Sequence, residues 1–272
     1  MPHTSRKKKA PHQRRFEAED KDGWTTIVTT RHHRPPQSPP DGVPYSASTN
    51  TPNEYSLEQL RHDYQRHVTI WQASSCAKAL AATLDQLHST LPLGKIDACV
   101  CLGIGSPSDG PTRRATLYQL AALQTMLESL RERNKASSST PIRTFFQDPA
   151  FTPHDTALLS SLSPPTTILS SPAAYAHITA STLLYAPHCE RPVLFRALQA
   201  SADPPAVVVC NDMAACVDGP LSASLATDEV ANARAFLTAS ATAVQWPGFD
   251  EDGRAFNDLT VYVRRDGEGL ER

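Results

Sequence analysis

The sequence predicts an α/β fold in which helices cover both faces of a mostly parallel β-sheet. From about residue 95 onward, short β-rich runs alternate with helical stretches, as strands and crossover helices do in parallel sheets. Residues 206–210 (Ala-Val-Val-Val-Cys) form an unbroken apolar run, which is typical of a strand buried on both faces. We therefore expect a Rossmann-like sheet of about five to six strands.

A long helical stretch precedes this sheet. Ser56 and Gln59 have the spacing of a capping box, so the helix should begin there. Apolar side chains then recur at helical spacing as far as Leu87. The pattern predicts one long helix, or two helices that meet near Ser74 and Ser75.

The elements of the sheet region follow in order. The predicted strands are 96–103, 142–146, 166–169, 182–186, 206–210 and 259–263, the last of which alternates and is interpreted as antiparallel. The predicted helices are 112–133, 152–162, 191–200 and 229–243, with a further one opening at Ser171 and Pro172. The second of these has the sharpest start signal, because Thr152 is placed as N-cap, Pro153 at the first helical position and Asp155 at the third.

The charge is divided unevenly along the 272 residues. The formal net charge is −2, but residues 1–15 contain six basic side chains and no acid, which leaves −8 on the rest of the chain. These basic residues are Arg6, Lys7, Lys8, Lys9, Arg14 and Arg15. Residues 1–54 are basic and proline-rich, and we expect a largely disordered arm that carries one β-prone island at 22–28 (Asp-Gly-Trp-Thr-Thr-Ile-Val). The α/β domain should occupy residues 55–272.

Several protein classes are excluded by composition. The longest apolar runs fall far short of the roughly 20 residues that span a bilayer, and the N-terminus has no apolar signal core. We therefore expect an intracellular chain, cytoplasmic and nuclear, with no membrane insertion. The six cysteines include no Cys-x-x-Cys pair, which argues against a structural zinc site.

Four polar segments follow predicted strands, at the edge where ligands bind in parallel sheets. The first is a glycine loop that includes Gly103, Gly105 and Ser106. Its glycines would allow close backbone packing before a helix that offers N–H groups to an anion. However, Ser108 stands where a dinucleotide fingerprint needs glycine, and Pro107 stands where a methyltransferase loop needs it. The alternative interpretation is a tight strand-to-helix turn.

The other three segments carry titratable side chains. Asp148 follows the second strand, where an acid often holds a ribose hydroxyl. His188 and Cys189 follow the fourth strand, where His188 could act as a base or the pair could bind haem or metal. Asn211 and Asp212 follow the fifth strand. Each also has a plain structural interpretation as a hydrogen-bonded turn residue.

The same segments carry a family resemblance. Six stretches resemble motifs of the SRR-like family, named for the plant protein Sensitivity to Red Light Reduced, and they run in the family's order. They are Asp22-Gly23-Trp24 with the following Thr-Thr-Ile-Val, Leu102-Gly103-Ile104-Gly105-Ser106 with Tyr118-Gln119-Leu120-Ala121, Asp148-Pro149-Ala150-Phe151, Leu184-Tyr185-Ala186-Pro187-His188-Cys189, Asn211, and Phe256-Asn257-Asp258. On these motifs the chain is identified as a fungal member of that family. Cys210 and Asp212 replace the family's Gly and Ser around Asn211.

The resemblance implies a regulatory role. Family members are linked to light and circadian signalling in plants, to microtubule-related processes in yeast and to haem biosynthesis or its regulation in animals. It implies no established catalytic residue.

Three functions compete on the sequence. The first is a non-enzymatic regulator that binds a protein partner or a small ligand at the edge of the sheet. The second is an enzyme that uses S-adenosylmethionine or a nucleotide, in the manner of a methyltransferase. The third is a haem or metal binder through His188 and Cys189. The basic arm is either a solvated tail without a partner, or a nuclear-import signal or weak contact to an anionic partner, and only through this arm would the chain bind nucleic acid, weakly.

Overall fold

The structure is a computed structural model that describes residues 15–19, 25–29, 55–90, 96–134, 141–200, 204–218 and 227–264. The chain divides into two units, Met1–Glu54 and Tyr55–Arg272. In the first unit, β1 (Arg15–Glu19) and β2 (Thr25–Thr29) pair antiparallel. The β-prone island therefore supplies a strand. The other residues of the arm, for which disorder was predicted, lie outside the described residues.

The second unit contains a seven-stranded sheet with helices packed around it. Its helices are α1 (Leu57–Ala73), α2 (Ser75–Thr90), α3 (Arg113–Asn134), α4 (Pro153–Ser160), α5 (Arg191–Gln199), α6 (Met213–Asp218) and α7 (Thr227–Ala239). Its strands are β3 (Ala98–Leu102), β4 (Arg143–Gln147), β5 (Thr166–Ile168), β6 (Thr182–Ala186), β7 (Val207–Asn211), β8 (Ser240–Gln245) and β9 (Leu259–Arg264). This confirms the predicted α/β class. No helix within the described ranges is long and apolar enough to cross a membrane.

The strand order is β5-β4-β3-β6-β7-β9-β8. The first five of these strands run parallel, whereas β9 runs antiparallel to both of its neighbours, β7 and β8. Strands β3 and β6 at the centre are buried along their whole length. Burial of this kind requires cover on both faces of the sheet. The predicted burial of the apolar run at 206–210 is seen in β7, of which residues 207–210 are buried.

The leading helical stretch is two helices, which decides between the two predicted alternatives. The capping box of Ser56 and Gln59 forms as expected, with Ser56 Oγ accepting from the Gln59 amide at 3.2 Å. Helix α1 ends at Ser74, whose extended backbone (φ −71°, ψ 156°) breaks the helical path before α2. The predicted start of α4 is confirmed as well, with Thr152 as N-cap and Asp155 completing a capping box.

The prediction of one helix over 229–243 is wrong at its end. Helix α7 stops at Ala239, and Ser240–Gln245 continue as the edge strand β8, which makes the sheet one strand larger than expected. Alanine favours helix, but Thr242 and Val244 are β-branched and the segment has β9 as a hydrogen-bonding partner. Pairing across the sheet, which a local pattern does not show, decides the structure here.

Candidate functional site

The site begins at the reversal of strand order in the centre of the sheet. Counted along the sheet domain, the parallel strands lie in the order 3-2-1-4-5, so the connections after β3 and β6 leave in opposite directions. The glycine loop after β3 and the 187–190 turn after β6 therefore open a crevice between them. In sheets of this kind such a crevice is where ligands bind.

Both glycines of the loop adopt left-handed backbone conformations. The φ angles are +64° at Gly103 and +79° at Gly105. A Cβ added at Gly103 would lie 2.9 Å from the Sγ of Cys189, so the loop packs directly against the turn after β6. Glycine is thus needed at position 103 for two reasons, the backbone angle and the close approach.

Asp148 holds this loop in place. Its two carboxylate oxygens accept hydrogen bonds from the backbone amides of Gly105 (2.6 Å) and Ala150 (2.8 Å). Desolvation by burial raises the pKa of Asp148, although the two amide hydrogen bonds oppose that rise. The carboxylate that the sequence suggested for a ribose hydroxyl is therefore used inside the protein.

Ser106 is also used within the loop. Its hydroxyl donates to Oδ2 of Asp155 at 2.6 Å, and Oδ1 of the same carboxylate accepts from the amide of Ser108 at 2.8 Å. Asp155 is fully buried, and its Oδ2 also accepts from the amide of Thr152. One carboxylate thus joins the glycine loop to the start of α4.

Arg113 secures the loop from the side of the leading helix. Its Nε donates to the carbonyl oxygen of Pro107 at 3.0 Å, and its guanidinium forms an ion pair with Asp63 on α1. Tyr55 donates to the same carboxylate of Asp63 and accepts from Arg113. Burial, followed by the hydrogen bond with Asp63, raises the pKa of Tyr55 to about 12. The glycine loop is therefore held at Gly105 by Asp148 and at Pro107 by Arg113, without any ligand.

His188 and Asn211 form the opposite wall of the crevice. Nδ1 of His188 lies 3.1 Å from Nδ2 of Asn211, a contact in which the amide donates to the neutral ring. Desolvation by burial lowers the pKa of His188. The backbone oxygens of Ala255 and Arg254 oppose this fall, but neither forms a well-aligned hydrogen bond with the buried Nε2. His188 is therefore a neutral, positioned side chain at pH 7.

Burial of histidine predicts a pH dependence of stability. Desolvation lowers the pKa values of His67, His88 and His188 in the folded chain. A histidine with a lowered folded pKa stabilises the fold fully above its unfolded pKa of about 6.5, and that contribution is lost as the pH falls further. We expect the free energy of unfolding, measured by urea denaturation, to decrease as the pH is lowered below about 6.5.

A pair of variants tests the share of His188 in this decrease. His188→Asn retains a residue type that tolerates the φ of +54°, removes one of the titrating groups and should make the pH dependence shallower. The exposed His62→Asn on α1 is the matched control and should leave the dependence unchanged. Equal pH profiles for the wild-type chain and His188→Asn would contradict the assignment.

The crevice holds a cavity of about 420 Å³, which we call the crevice cavity. It is lined by the glycine loop at 103–105, by Pro187 and His188, by Arg254 and Asn257, and by six residues just before and within the start of α3: Pro111, Thr112, Arg114, Ala115, Thr116 and Gln119. Arg114 supplies a second guanidinium, and no carboxylate belongs to the lining. Asp252, just outside, forms an ion pair with Arg114 at 3.4 Å and lies 3.9 Å from Arg254. The two arginines of the lining therefore share one neighbouring carboxylate, and these three side chains together keep one positive charge.

A second cavity of about 390 Å³ lies beyond the His188–Asn211 wall. Its charged lining residues are Arg191, Asp212 and Asp258. Its other lining residues are Cys189, Leu194, Phe195, Asn211, Met213 and Ala215. The two cavities are thus neighbours of different charge.

The structure divides the candidate residues predicted from the sequence into three groups. Gly103, Gly105 and His188 line the crevice cavity, whereas Cys189, Asn211 and Asp212 line the second cavity. Ser106 and Asp148 belong to neither lining, because their side chains hold the glycine loop.

Sequence reasoning missed Arg114 and Arg254, the two arginines that line the crevice cavity, and Arg113, which secures the glycine loop. Arg113 and Arg114 occupy the first turn of α3, where acidic residues are usual because they complement the helix dipole. Two adjacent arginines at the start of a helix are unusual, and this pattern could have pointed to a function for them. Arg254 follows Asp252 and Gly253 in a turn, and nothing in its local sequence marks it.

Neither cavity has the donor set of a metal site. Among the residues that the structure describes, no group of three or more His, Cys, Asp or Glu side chains could hold a metal ion. Burial raises the pKa of the Cys189 thiol well above its usual range, which disfavours the thiolate that binds iron or zinc. Haem binding needs only one or two protein ligands, so ligation through His188 and Cys189 stays a prediction.

Comparison with known protein families assigns the chain. The model of the SRR1 domain matches residues 80–263, which include the glycine loop, Asp148, His188 and both cavities. The chain belongs to the SRR1-domain family. The family predicted from the sequence motifs is thereby confirmed.

Other comparisons add little about this SRR1 domain. No curated protein matches the chain. A solved structure with a similar chain is the complex between the Haloferax volcanii Trm112 methyltransferase activator and a protein described as a methyltransferase. The alignment has 12% identity and a TM-score of 0.34, and it covers 71% of this chain and 97% of that one. A superposition this loose supports no conclusion about function.

Proposed function

We propose that this SRR1 domain is a ligand-binding regulator that holds a small anionic molecule in the crevice cavity and does no chemistry on it. The observation that carries the proposal is the lining of that cavity. It combines Arg114 and Arg254 with the glycine loop and the start of α3, and it contains no carboxylate. A protein partner would then sense the occupied crevice.

The parts of the cavity suit an anion by ordinary helix chemistry. The first amides of an α-helix have no intrahelical acceptor and carry a partial positive charge. In α3 these amides belong to residues that line the cavity, including Arg114 and Ala115. Guanidinium groups add charge-assisted hydrogen bonds to phosphate or carboxylate oxygens. Gly103 and Gly105 let the ligand approach the backbone closely.

The state of the titratable groups supports binding rather than catalysis. Asp148 and Asp155 are occupied by backbone amides of the loop, and Ser106 is bonded to Asp155. Burial raises the pKa of Cys189, so its thiol is a poor nucleophile. General acid–base catalysis needs a group free to exchange protons with the ligand, and none of these four side chains fits that need.

Calorimetric titration with pyrophosphate tests the proposal. We expect the full chain to bind pyrophosphate, and Arg254→Gln to weaken that binding about tenfold through loss of a charge-assisted contact. Binding should weaken as salt concentration rises, because both arginines are largely exposed. Arg61→Gln on the exposed side of α1 is the matched control. An undetectable binding heat up to millimolar pyrophosphate, or equal binding by Arg254→Gln and wild type, would refute the proposal.

An enzyme dependent on S-adenosylmethionine or a nucleotide is the second candidate. The strand order around the crevice favours it, because nucleotide-binding doubly wound sheets share the 3-2-1-4-5 arrangement and the ligand position at the reversal. Thermal unfolding distinguishes the two candidates. Stabilisation by S-adenosylmethionine but not by pyrophosphate would favour the enzyme.

A further inference from the structure

We propose that the second cavity is a separate binding site for a zwitterion, namely an α-amino acid with an apolar side chain. The inference rests on the charges of Arg191, Asp212 and Asp258, which line one cavity of about 390 Å³. It does not depend on the anion proposed for the crevice cavity.

Arg191 is the cationic part of this site. It is the first residue of α5, it is half-buried, and within the described part of the chain its guanidinium has no ion-pair or hydrogen-bond partner. A cation at a helix N-terminus opposes the helix dipole, so helix stability does not explain its position. A half-buried guanidinium beside a cavity is well placed to bind a ligand carboxylate in a charge-assisted, bidentate contact.

The two aspartates form the anionic part. Oδ1 of Asp212 accepts from the amides of Ala214 (3.0 Å) and Ala215 (3.3 Å), and from the Tyr262 hydroxyl (3.2 Å). Its Oδ2 has no partner among the described residues. Asp258 accepts from Asn257 through Oδ2 at 3.1 Å, which likewise leaves Oδ1 for a ligand.

The backbone fixes these carboxylates relative to each other. The amide of Asp212 donates to the carbonyl oxygen of Asp258 at 2.8 Å. Asp258 is held at a φ of +57°, a left-handed conformation that only a few residue types adopt readily. Two carboxylates on backbones joined in this way, each with a free oxygen, are suited to an ammonium group.

The floor of the cavity is apolar. Leu194, Phe195 and Met213 are 4%, 1% and 1% exposed, and Cys189 lies beside them. A ligand with one sign of charge would leave either Arg191 or the two aspartates without a partner of opposite charge. A molecule with a carboxylate, an ammonium group and an apolar side chain satisfies all three surfaces.

Titration with L-leucine and two matched analogues tests this site. The analogue 4-methylpentanoate lacks the ammonium group, and 3-methylbutylamine lacks the carboxylate. L-Methionine and L-phenylalanine extend the panel to other apolar side chains. We expect at least one of the three amino acids to bind the full chain in calorimetry. We expect each leucine analogue to bind about tenfold or more weakly than leucine, because it loses one charge-assisted contact.

Variants of the chain locate the binding. Arg191→Gln and Asp258→Asn should each weaken amino-acid binding about tenfold, and asparagine tolerates the backbone conformation at position 258. Arg61→Gln should have no effect. Pyrophosphate binding should be unchanged in Arg191→Gln, which separates this proposal from the anion site.

Three results would overturn the zwitterion site. The first is failure of all three amino acids to bind at millimolar concentration. The second applies if leucine binds, and is binding of leucine no tighter than that of its two analogues. The third is amino-acid binding that Arg254→Gln reduces and Arg191→Gln leaves intact, because the ligand would then occupy the crevice cavity.

Discussion

Replacing Gly103 by alanine is expected to destabilise the chain by about 2–5 kcal/mol, measured as the free energy of unfolding in urea. The left-handed φ of +64° costs an alanine about 1–2 kcal/mol. The added Cβ would also lie 2.9 Å from Sγ and 3.2 Å from Cβ of Cys189, an overpacking that costs about 1–3 kcal/mol more. Because the loop and the turn after β6 both line the crevice cavity, pyrophosphate binding should weaken as well.

Two other glycines serve as matched controls for this prediction. Gly110 has a φ of +87° but open space around an added Cβ, so Gly110→Ala should lose only the backbone part, about 1–2 kcal/mol. Gly248 has neither constraint, and Gly248→Ala should stay within about 0.5 kcal/mol of wild type. Adding Cys189→Ala to Gly103→Ala should restore part of the loss. Equal destabilisation by Gly103→Ala and Gly110→Ala would show that the contact with Cys189 is unimportant.

Replacing Asp155 by alanine is expected to destabilise the chain by about 3–5 kcal/mol. The fully buried carboxylate accepts from the amides of Thr152 and Ser108 and from the hydroxyl of Ser106. Removing it leaves these donors without an acceptor, at a cost of about 1–3 kcal/mol for each donor that water does not reach. Urea denaturation measures the loss.

Two further variants control for the role of Asp155. Asp155→Asn keeps one acceptor oxygen and should lose less than Asp155→Ala. Glu128→Ala, an exposed acid on α3, should change the free energy of unfolding by less than about 0.5 kcal/mol. A loss below about 1 kcal/mol for Asp155→Ala would contradict the interpretation that Asp155 joins the glycine loop to α4.

Most of the fold could be predicted because its signals are local. The strand 182–186 was predicted with the bounds that β6 has, since an apolar run there ends at Pro187. The capping residues Ser56 and Thr152 fixed two helix starts in the same way. Strand β8 could not be predicted, because its alanine-rich segment takes its conformation from pairing with β9, whose sequence lies further along the chain.

The edge of the sheet that forms the site was predictable, but the role of each side chain was not. Alternation of strands and helices placed the glycine loop, His188 and Asn211 at one edge. The partners of Asp148 and Ser106 lie 43 and 49 residues away along the chain, so their structural use depends on tertiary distance. Arg254 and Asn257 reach the crevice cavity from the turn that precedes β9. Asn257 belongs to a motif-like stretch, but no local pattern marks Arg254.

The anion-binding crevice is tested most directly by mapping amide chemical shifts in the ¹⁵N-labelled full chain during a pyrophosphate titration. The account predicts that the largest shifts fall on Gly103, Gly105 and Ala115, with smaller changes in the second cavity. The anion-binding crevice would be contradicted if the signals of these three amides did not change at saturating pyrophosphate, or if the largest changes fell on another part of the chain.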